Sequence, residues 1–393
     1  MSSHGLEIEW PSWTEPDSTY TICSSPTTLA FMSEQRSFNY AQRKPLFSEL
    51  SKMRGGRAPI IFFNFDRGSQ PPNIPGIATM FASDTKEVLF RLLKEADAKK
   101  GIDLVLYTRG GDTNAVWPLA TLIREFDPTF QILAPFRCHS SGTLLALGAH
   151  KIVMTRMSEL SPIDATTANQ FNPREETNPV SSKGISVEDV RAFFELPKEY
   201  SPSSKVDYLE LLTKTVHPLA LGNVQRVYLL VQNLASSLLD SNGGDKKTRT
   251  EVTKIVDKLA SQFYSHVHAI SRKEAKEILG NQIEFADGEL ESCVDSLLRA
   301  YELTFKLREQ YILKQEIQNS PSLDVSYVGA VFESETRSYA FKTRGTWSQT
   351  SKFPPGVQLN VPAGSSLPLI PGLPVDFHFD IKFQDWVHNE EGV

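Results

Sequence analysis

The strongest constraint on this chain is a pattern that occurs twice in succession between residues 103 and 164. The apolar run Leu104-Val105-Leu106-Tyr107 ends in Thr108-Arg109-Gly110-Gly111-Asp112. The apolar Gln131-Ile132-Leu133-Ala134-Pro135 then leads into Cys138-His139-Ser140-Ser141-Gly142-Thr143 and on through Leu144-Leu145-Ala146-Leu147-Gly148. Each unit reads as a strand, a tight polar turn and a helix. Continuous apolar strands alternating with helices are buried on both faces, which predicts an α/β fold with a parallel sheet and right-handed crossovers. The carboxyl ends of such strands open onto a crevice where ligands bind. A buried strand feeding a Gly- or Ser-rich turn presents backbone N–H groups and one hydroxyl there, as acyl chemistry requires. Either turn alone is also compatible with an ordinary βα connection. The two together, in this order, favour the functional reading.

The flanking sequence fits the same frame. Tyr40 to Met53 is a short amphipathic segment closed by Gly55-Gly56, and Pro59 to Phe65 reads as a buried strand. Asp84 is placed to cap a helix whose inward stripe is Val88, Leu89, Leu92 and Leu93. Trp117 to Phe126 is the helix after the first turn, and Ile152-Val153-Met154 is a further strand leaving at Leu160-Ser161-Pro162-Ile163-Asp164. Residues 166–204 are polar and proline-punctuated, around a short helix near Val187 to Leu196. A long helix runs from Leu219 to Asp240, is broken at Gly243-Gly244, and is followed by helices near 248–265 and 288–315. Beyond about 320, Val325–Val328, Tyr339–Phe341, Val357–Val361 and Val375–Phe379 read as short strands between Pro/Gly turns. The expected organisation is an N-terminal extension over 1–35, an α/β domain over 36–318 and a small β-rich module over 319–393.

Composition narrows the function. The 393 residues are 40% hydrophobic and 22% charged, as in a globular protein, with a net charge of −6 that argues against general affinity for nucleic acid or anionic membranes. No window resembles a membrane span, and Met1 to Trp10 lacks both the basic and the apolar part of a signal peptide. Cys23, Cys138 and Cys293 lie far apart with no metal-ligand spacing, so a reducing cytoplasm is expected. No phosphate-binding loop is present, and neither a metal nor another cofactor is expected.

The ordered series Tyr107-Thr-Arg-Gly-Gly111, His139-Ser-Ser-Gly-Thr143, Leu145-Ala-Leu147, Ile152-Val-Met154 and Leu160-Ser-Pro-Ile-Asp164 resembles the Clp-type and signal-peptide-peptidase-type serine proteases. The nearest branch is the serine dehydrogenase proteinases. A further echo is Phe263-Tyr-Ser-His266 followed by Ser271-Arg-Lys-Glu-Ala275, so the resemblance covers about residues 40–310. It implies a ClpP/crotonase-like parallel-sheet core with surrounding helices. It also implies a serine peptidase acting on peptide or protein segments through an acyl-enzyme, in a homo-oligomer. Ser140 falls at the nucleophile's position, with Ser141 as the competing nucleophile one step along. The backbone N–H groups of Ser141, Gly110 and Gly111 fall where the oxyanion is bound. A serine in the first turn of a helix also has its hydroxyl near the positive end of the dipole. Arg109 replaces the usual proline and either binds a substrate carboxylate or is a solvated turn residue. Ser141 replaces a glycine, which is tolerable only without a positive φ.

A serine hydroxyl needs a base. Where the Clp type has its histidine this chain has Asp164, and where that type has its aspartate it has Thr213-Lys214-Thr215-Val216-His217. His217 is therefore the leading base with Asp164 as its orienting acid, and Lys214 is the alternative, provided it is desolvated. His139 is a supporting residue, Cys138 a small buried side chain, and His266 and His268 part of a polar turn. Two other readings stand beside the peptidase. One is a catalytically inactive member of the fold that binds peptides as an assembly scaffold. The other is acyl-CoA chemistry of the crotonase type, which uses the same amides but no serine nucleophile.

Overall fold

The computed structural model describes residues 38–64, 81–164, 166–167, 169–174, 183–200, 205–263, 265–307, 313–318, 320–352, 370 and 372–389. In chain order these form α1 (Tyr40–Met53), β1 (Ala58–Asn64), α2 (Thr85–Glu95), β2 (Ile102–Tyr107), α3 (Thr113–Phe126), β3 (Gln131–Ala134), β4 (Arg137–Cys138), α4 (Ser141–Leu147), β5 (Lys151–Met154) and β6 (Glu159–Leu160). They continue with β7 (Thr166–Thr167), β8 (Ile185–Ser186), α5 (Val187–Tyr200), α6 (Lys205–Thr213), α7 (Pro218–Asp240), α8 (Arg249–Ser261), β9 (Ile270–Ser271), α9 (Arg272–Leu279) and β10 (Ile283–Phe285). The last are α10 (Gly288–Phe305), α11 (Leu313–Ile317), β11 (Ser322–Glu333), β12 (Ser338–Ser351) and β13 (Val375–His388).

One sheet organises the chain, in the order β10-β5-β3-β2-β1-β11-β12-β13. Its first five strands pair in parallel, as the alternation of strands and helices predicts. Successive side chains of a strand point to opposite faces, and the two faces are two cores. Ile60, Phe62, Leu104, Leu106, Ile132, Ile152 and Met154 pack under α2, α3, α4, α7 and α8. Ile61, Phe63, Val105, Tyr107, Leu133 and Val153 pack under α1 and α10. The fold is thus α/β, with a parallel-sheet core covered on both faces.

The C-terminal strands differ from the expectation in length and attachment. β11 lies antiparallel to β1, with Phe62 opposite Phe332, so the sheet crosses the boundary drawn at 319 without interruption. The strands cover 12, 14 and 14 residues rather than short segments. Val357–Val361 and the N-terminal extension up to residue 35 lie outside the described residues. A buried ion pair ties this edge to the second core. Arg43 of α1 donates from Nε to Glu333 Oε2 at 3.0 Å, and the Tyr301 hydroxyl of α10 donates to the same carboxylate at 2.5 Å.

Two local expectations are corrected. Asp84 makes no capping bond to α2; its carboxylate instead accepts the indole N–H of Trp386 at 3.1 Å. α9 lies between the two helices expected after residue 248, and α10 ends at Phe305 because Lys306 turns left-handed.

Candidate active site

The two turns of the sequence pattern are bonded to each other. Thr108 donates its N–H to the carbonyl of Arg137 at 2.9 Å and accepts the N–H of His139 at 3.0 Å. Phe81 staples the first turn from outside: its N–H reaches Gly110 O at 3.0 Å and its carbonyl accepts Asp112 N–H at 2.7 Å. Gly110 has φ +109°, and a Cβ there would stand 2.7 Å from the Ser140 Cβ. Only glycine combines that backbone with so close an approach. Asp112 then caps α3 by accepting Asn114 N–H.

Ser140 is the N-cap of α4 and has φ 51° and ψ −114°. A serine held at positive φ on a strand-to-helix turn is strained, and such strain persists only where neighbours enforce it. Here the Ser140 N–H donates to Ser161 Oγ at 2.7 Å. The Ser161 N–H in turn donates to Thr143 Oγ1 at 3.0 Å, and the Thr143 hydroxyl donates to Cys138 O at 2.7 Å. Gly142 N–H and Leu144 N–H are taken by His139 O and Ser140 O.

The N–H groups of Ser141, Thr143 and Gly111 have no acceptor among the described residues, whereas Gly110 N–H donates to Thr108 Oγ1 at 3.0 Å. The Ser141 hydroxyl donates to Gly111 O at 2.8 Å, and Ser141 is 2% exposed. Its hydroxyl is thereby committed, and it lashes the two turns together. The Ser140 hydroxyl makes no hydrogen bond among the described residues and belongs to a half-buried residue.

The titratable groups are arranged differently from the expectation. His217 and Asp164 are not paired. His217 caps α7, its Nδ1 accepting Leu219 N–H at 3.1 Å, and its ring stacks on Phe171 at 4.8 Å. Lys214 is exposed in the turn before α7. Asp164 instead meets His266 Nδ1 at 2.9 Å, with the carboxylate side chain 10% exposed and the imidazole 50% exposed. That hydrogen bond raises the His266 pKa from its ordinary value against the opposing effect of burial. His266 does lie in a polar turn, and the family echo at Phe263–Ala275 is the sequence signal that points to it.

Glu159 of β6 sits between charges from both turns. His139 Nε2 is 3.8 Å away and Arg137 Nε 3.6 Å. His139 first, then Arg137 and Arg109, hold its carboxyl below the usual range, while burial opposes them. His139 is accordingly turned to Glu159. Cys138 is fully buried and its thiol pKa is pushed far up by desolvation, so it is an inert packing residue.

Residues 32–183 match the family model described as ClpP-like SDH-type serine proteinase. An uncharacterized protein of Methanocaldococcus jannaschii is 27% identical over 205 residues, which are 52% of this chain and 61% of that protein. A second uncharacterized protein of the same organism is 26% identical over 138 residues, 35% of this chain and 47% of that one. The chain thus spans less than two thirds of the length of either. Among solved structures, a serine-to-alanine variant of the 1510-N membrane-bound stomatin-specific protease is similar with a TM-score of 0.34 and 15% identity, over 53% of this chain and 75% of that one. A lysine-to-alanine variant of that protease in complex with a substrate peptide gives a TM-score of 0.33 and 15% identity, over 53% and 71%. Over residues 32–183, the chain is thus similar to the ClpP-like SDH-type serine proteinases.

Proposed function

We propose that the chain is a serine peptidase in which Ser140 forms the acyl-enzyme. The observation that carries the proposal is the strained Ser140 turn flanked by the unused amides of Ser141 and Gly111. In the reaction, the Ser140 Oγ–H bond breaks, its proton goes to a base, and Oγ attacks the scissile carbonyl. The resulting oxyanion accepts the N–H groups of Ser141 and Gly111, each such donor being worth about 2.7–4 kcal/mol of barrier. Collapse expels the amine with the proton returned by the base, and water then cleaves the ester by the same route.

For the base, the pairing of His266 with Asp164 supports His266. A buried carboxylate on Nδ1 fixes the tautomer, leaves Nε2 to take a proton and stabilises the imidazolium. Asp164 follows three residues after Ser161, the partner of the Ser140 amide. His217 and Lys214 are the other candidates. Arg109, beside Gly110 and exposed, suits a substrate carboxylate. A reducing cytoplasm accords with Cys138 and Cys293, both buried thiols, the latter pushed up to about 12 by burial. A homo-oligomer acting on peptide or protein segments completes the reading.

One observation favours a second reading, a peptide-binding scaffold without catalysis: no described side chain accepts a hydrogen bond from the Ser140 hydroxyl. A fluorophosphonate probe followed by peptide mass spectrometry decides between them. Labelling at Ser140 that is lost in Ser140→Ala and falls steeply in His266→Ala supports the peptidase with this base. Labelling that survives Ser140→Ala overturns the nucleophile, and loss in His217→Ala or Lys214→Ala instead moves the base there.

A further inference from the structure

At the opposite end of α4 from Ser140 lies a cleft of about 620 Å³, lined among others by His150, Asn242, Lys247, Lys254, Glu277 and Gln282. Its size is that of a small-molecule site. It opens where β5 and β10 begin, away from the carboxyl ends of the strands that carry Ser140.

Three of its six charged side chains are committed. Lys151 Nζ donates to Asn281 O at 2.7 Å, Asp245 accepts Asn281 Nδ2 at 3.2 Å, and Glu251 caps α8 through Thr248. Three are not: Lys247, half-buried, and the exposed Lys254 and Glu277 make no hydrogen bond or ion pair among the described residues. Burial lowers the Lys247 pKa against the opposing pull of Asp245, Glu251 and Asp240. Two polar atoms of the lining are also unused, Gln282 Oε1 on a residue 5% exposed and His150 Nδ1. Unpaired buried polar atoms are costly and call for a ligand or a role.

The leftover charge has both signs, which selects the ligand. A polyphosphate would meet Glu277, Asp245 and Glu251 as well as the lysines. A zwitterion satisfies both, its carboxylate on Lys247 and Lys254 and its ammonium on Glu277, with peptide groups for the unused polar atoms. The cleft also grips α4. Gln282 Nε2 donates to Leu147 O at 3.0 Å and Ala149 O at 2.8 Å, and Asn242 Nδ2 reaches Leu147 O at 3.4 Å. Every residue of α4 is buried, so its far end cannot shift independently of Ser140 and Ser141.

We propose that this cleft binds a short peptide with free amino and carboxyl termini, and that its occupancy acts on Ser140 through α4. The binding half is independent of the proposed activity; the coupling half rests on Ser140 as nucleophile. Such a ligand is what a peptidase releases, so the site would report product.

Calorimetry of trialanine with the Ser140→Ala protein tests the site without turnover. Trialanine is expected to bind, N-acetyl-trialanine and trialanine amide to bind at least about tenfold more weakly, and the added pair Lys247→Gln and Lys254→Gln to weaken trialanine equally. No binding, equal binding of the blocked peptides, or an unchanged affinity in the lysine variant overturns the site. In the otherwise native protein, saturating trialanine is expected to change the rate of fluorophosphonate labelling by about twofold or more, and to leave it unchanged in Lys247→Gln. A rate indifferent to trialanine overturns the coupling alone. Absence of any labelling overturns the nucleophile, while the calorimetry still decides the cleft.

Discussion

The backbone N–H of Ser140 donates a 2.7 Å hydrogen bond to the hydroxyl of Ser161, and that bond holds a serine at φ 51° in the turn of the second strand–helix unit. Removing the acceptor leaves the amide unsatisfied and releases the turn. Ser161→Ala is therefore expected to cost about 1–3 kcal/mol of stability, measured by urea unfolding. Its probe-labelling rate at Ser140 is expected to fall further than that loss alone explains, read at a temperature where the variant is fully folded.

Gly110 tolerates no side chain. At φ +109° any L-residue pays about 1–2 kcal/mol for its backbone alone, and the new Cβ would stand 2.7 Å from the Ser140 Cβ. Gly110→Ala is expected to abolish labelling of Ser140 while circular dichroism retains the native secondary structure, because the clash falls on the turn and not on the sheet. Full labelling in this variant would show that the first turn does not shape the site.

The pairing of His266 with Asp164 has a defined pH dependence. The hydrogen bond raises the His266 pKa in the folded protein, so its contribution to stability is fully present below the unfolded pKa and is lost as pH rises through the folded one. With His266 as base, labelling rises over that same raised pKa, where the ring becomes neutral. Asp164→Asn is expected to shift the rise to lower pH and to reduce the plateau. An imidazole titration followed by NMR in both proteins checks the shift independently of activity.

The buried Arg43–Glu333 pair joins α1 to β11, and each side chain is wholly enclosed. Either truncation strands a charge, so Arg43→Ala or Glu333→Ala is expected to destabilise by about 3–5 kcal/mol. Replacing both with apolar residues of similar volume is expected to recover most of that loss, because no charge is then left unpaired. Chemical denaturation of the single and double variants measures the coupling.

How much of this was legible in the sequence follows the range of each interaction. Ile60, Phe62, Leu104 and Leu106 on one face, and Ile61, Phe63, Val105 and Tyr107 on the other, fix two cores through strand periodicity, a property of adjacent residues. The turns carrying Gly110, Gly111 and Ser140 were legible for the same reason: backbone constraints act within a few residues. The base was not. Asp164 and His266 are 102 residues apart and meet because β6 pairs with β9, which carries the chain past Asp164. Asp84 offered an ordinary cap, but a Trp386 indole 302 residues away competes for the same carboxylate and wins. The chain's own pattern thus determined the parallel sheet, its two buried faces and the two polar turns. Only the tertiary structure decided which amides stay free, which histidine meets Asp164 and how β11 extends the sheet, because each depends on contacts between segments remote in sequence.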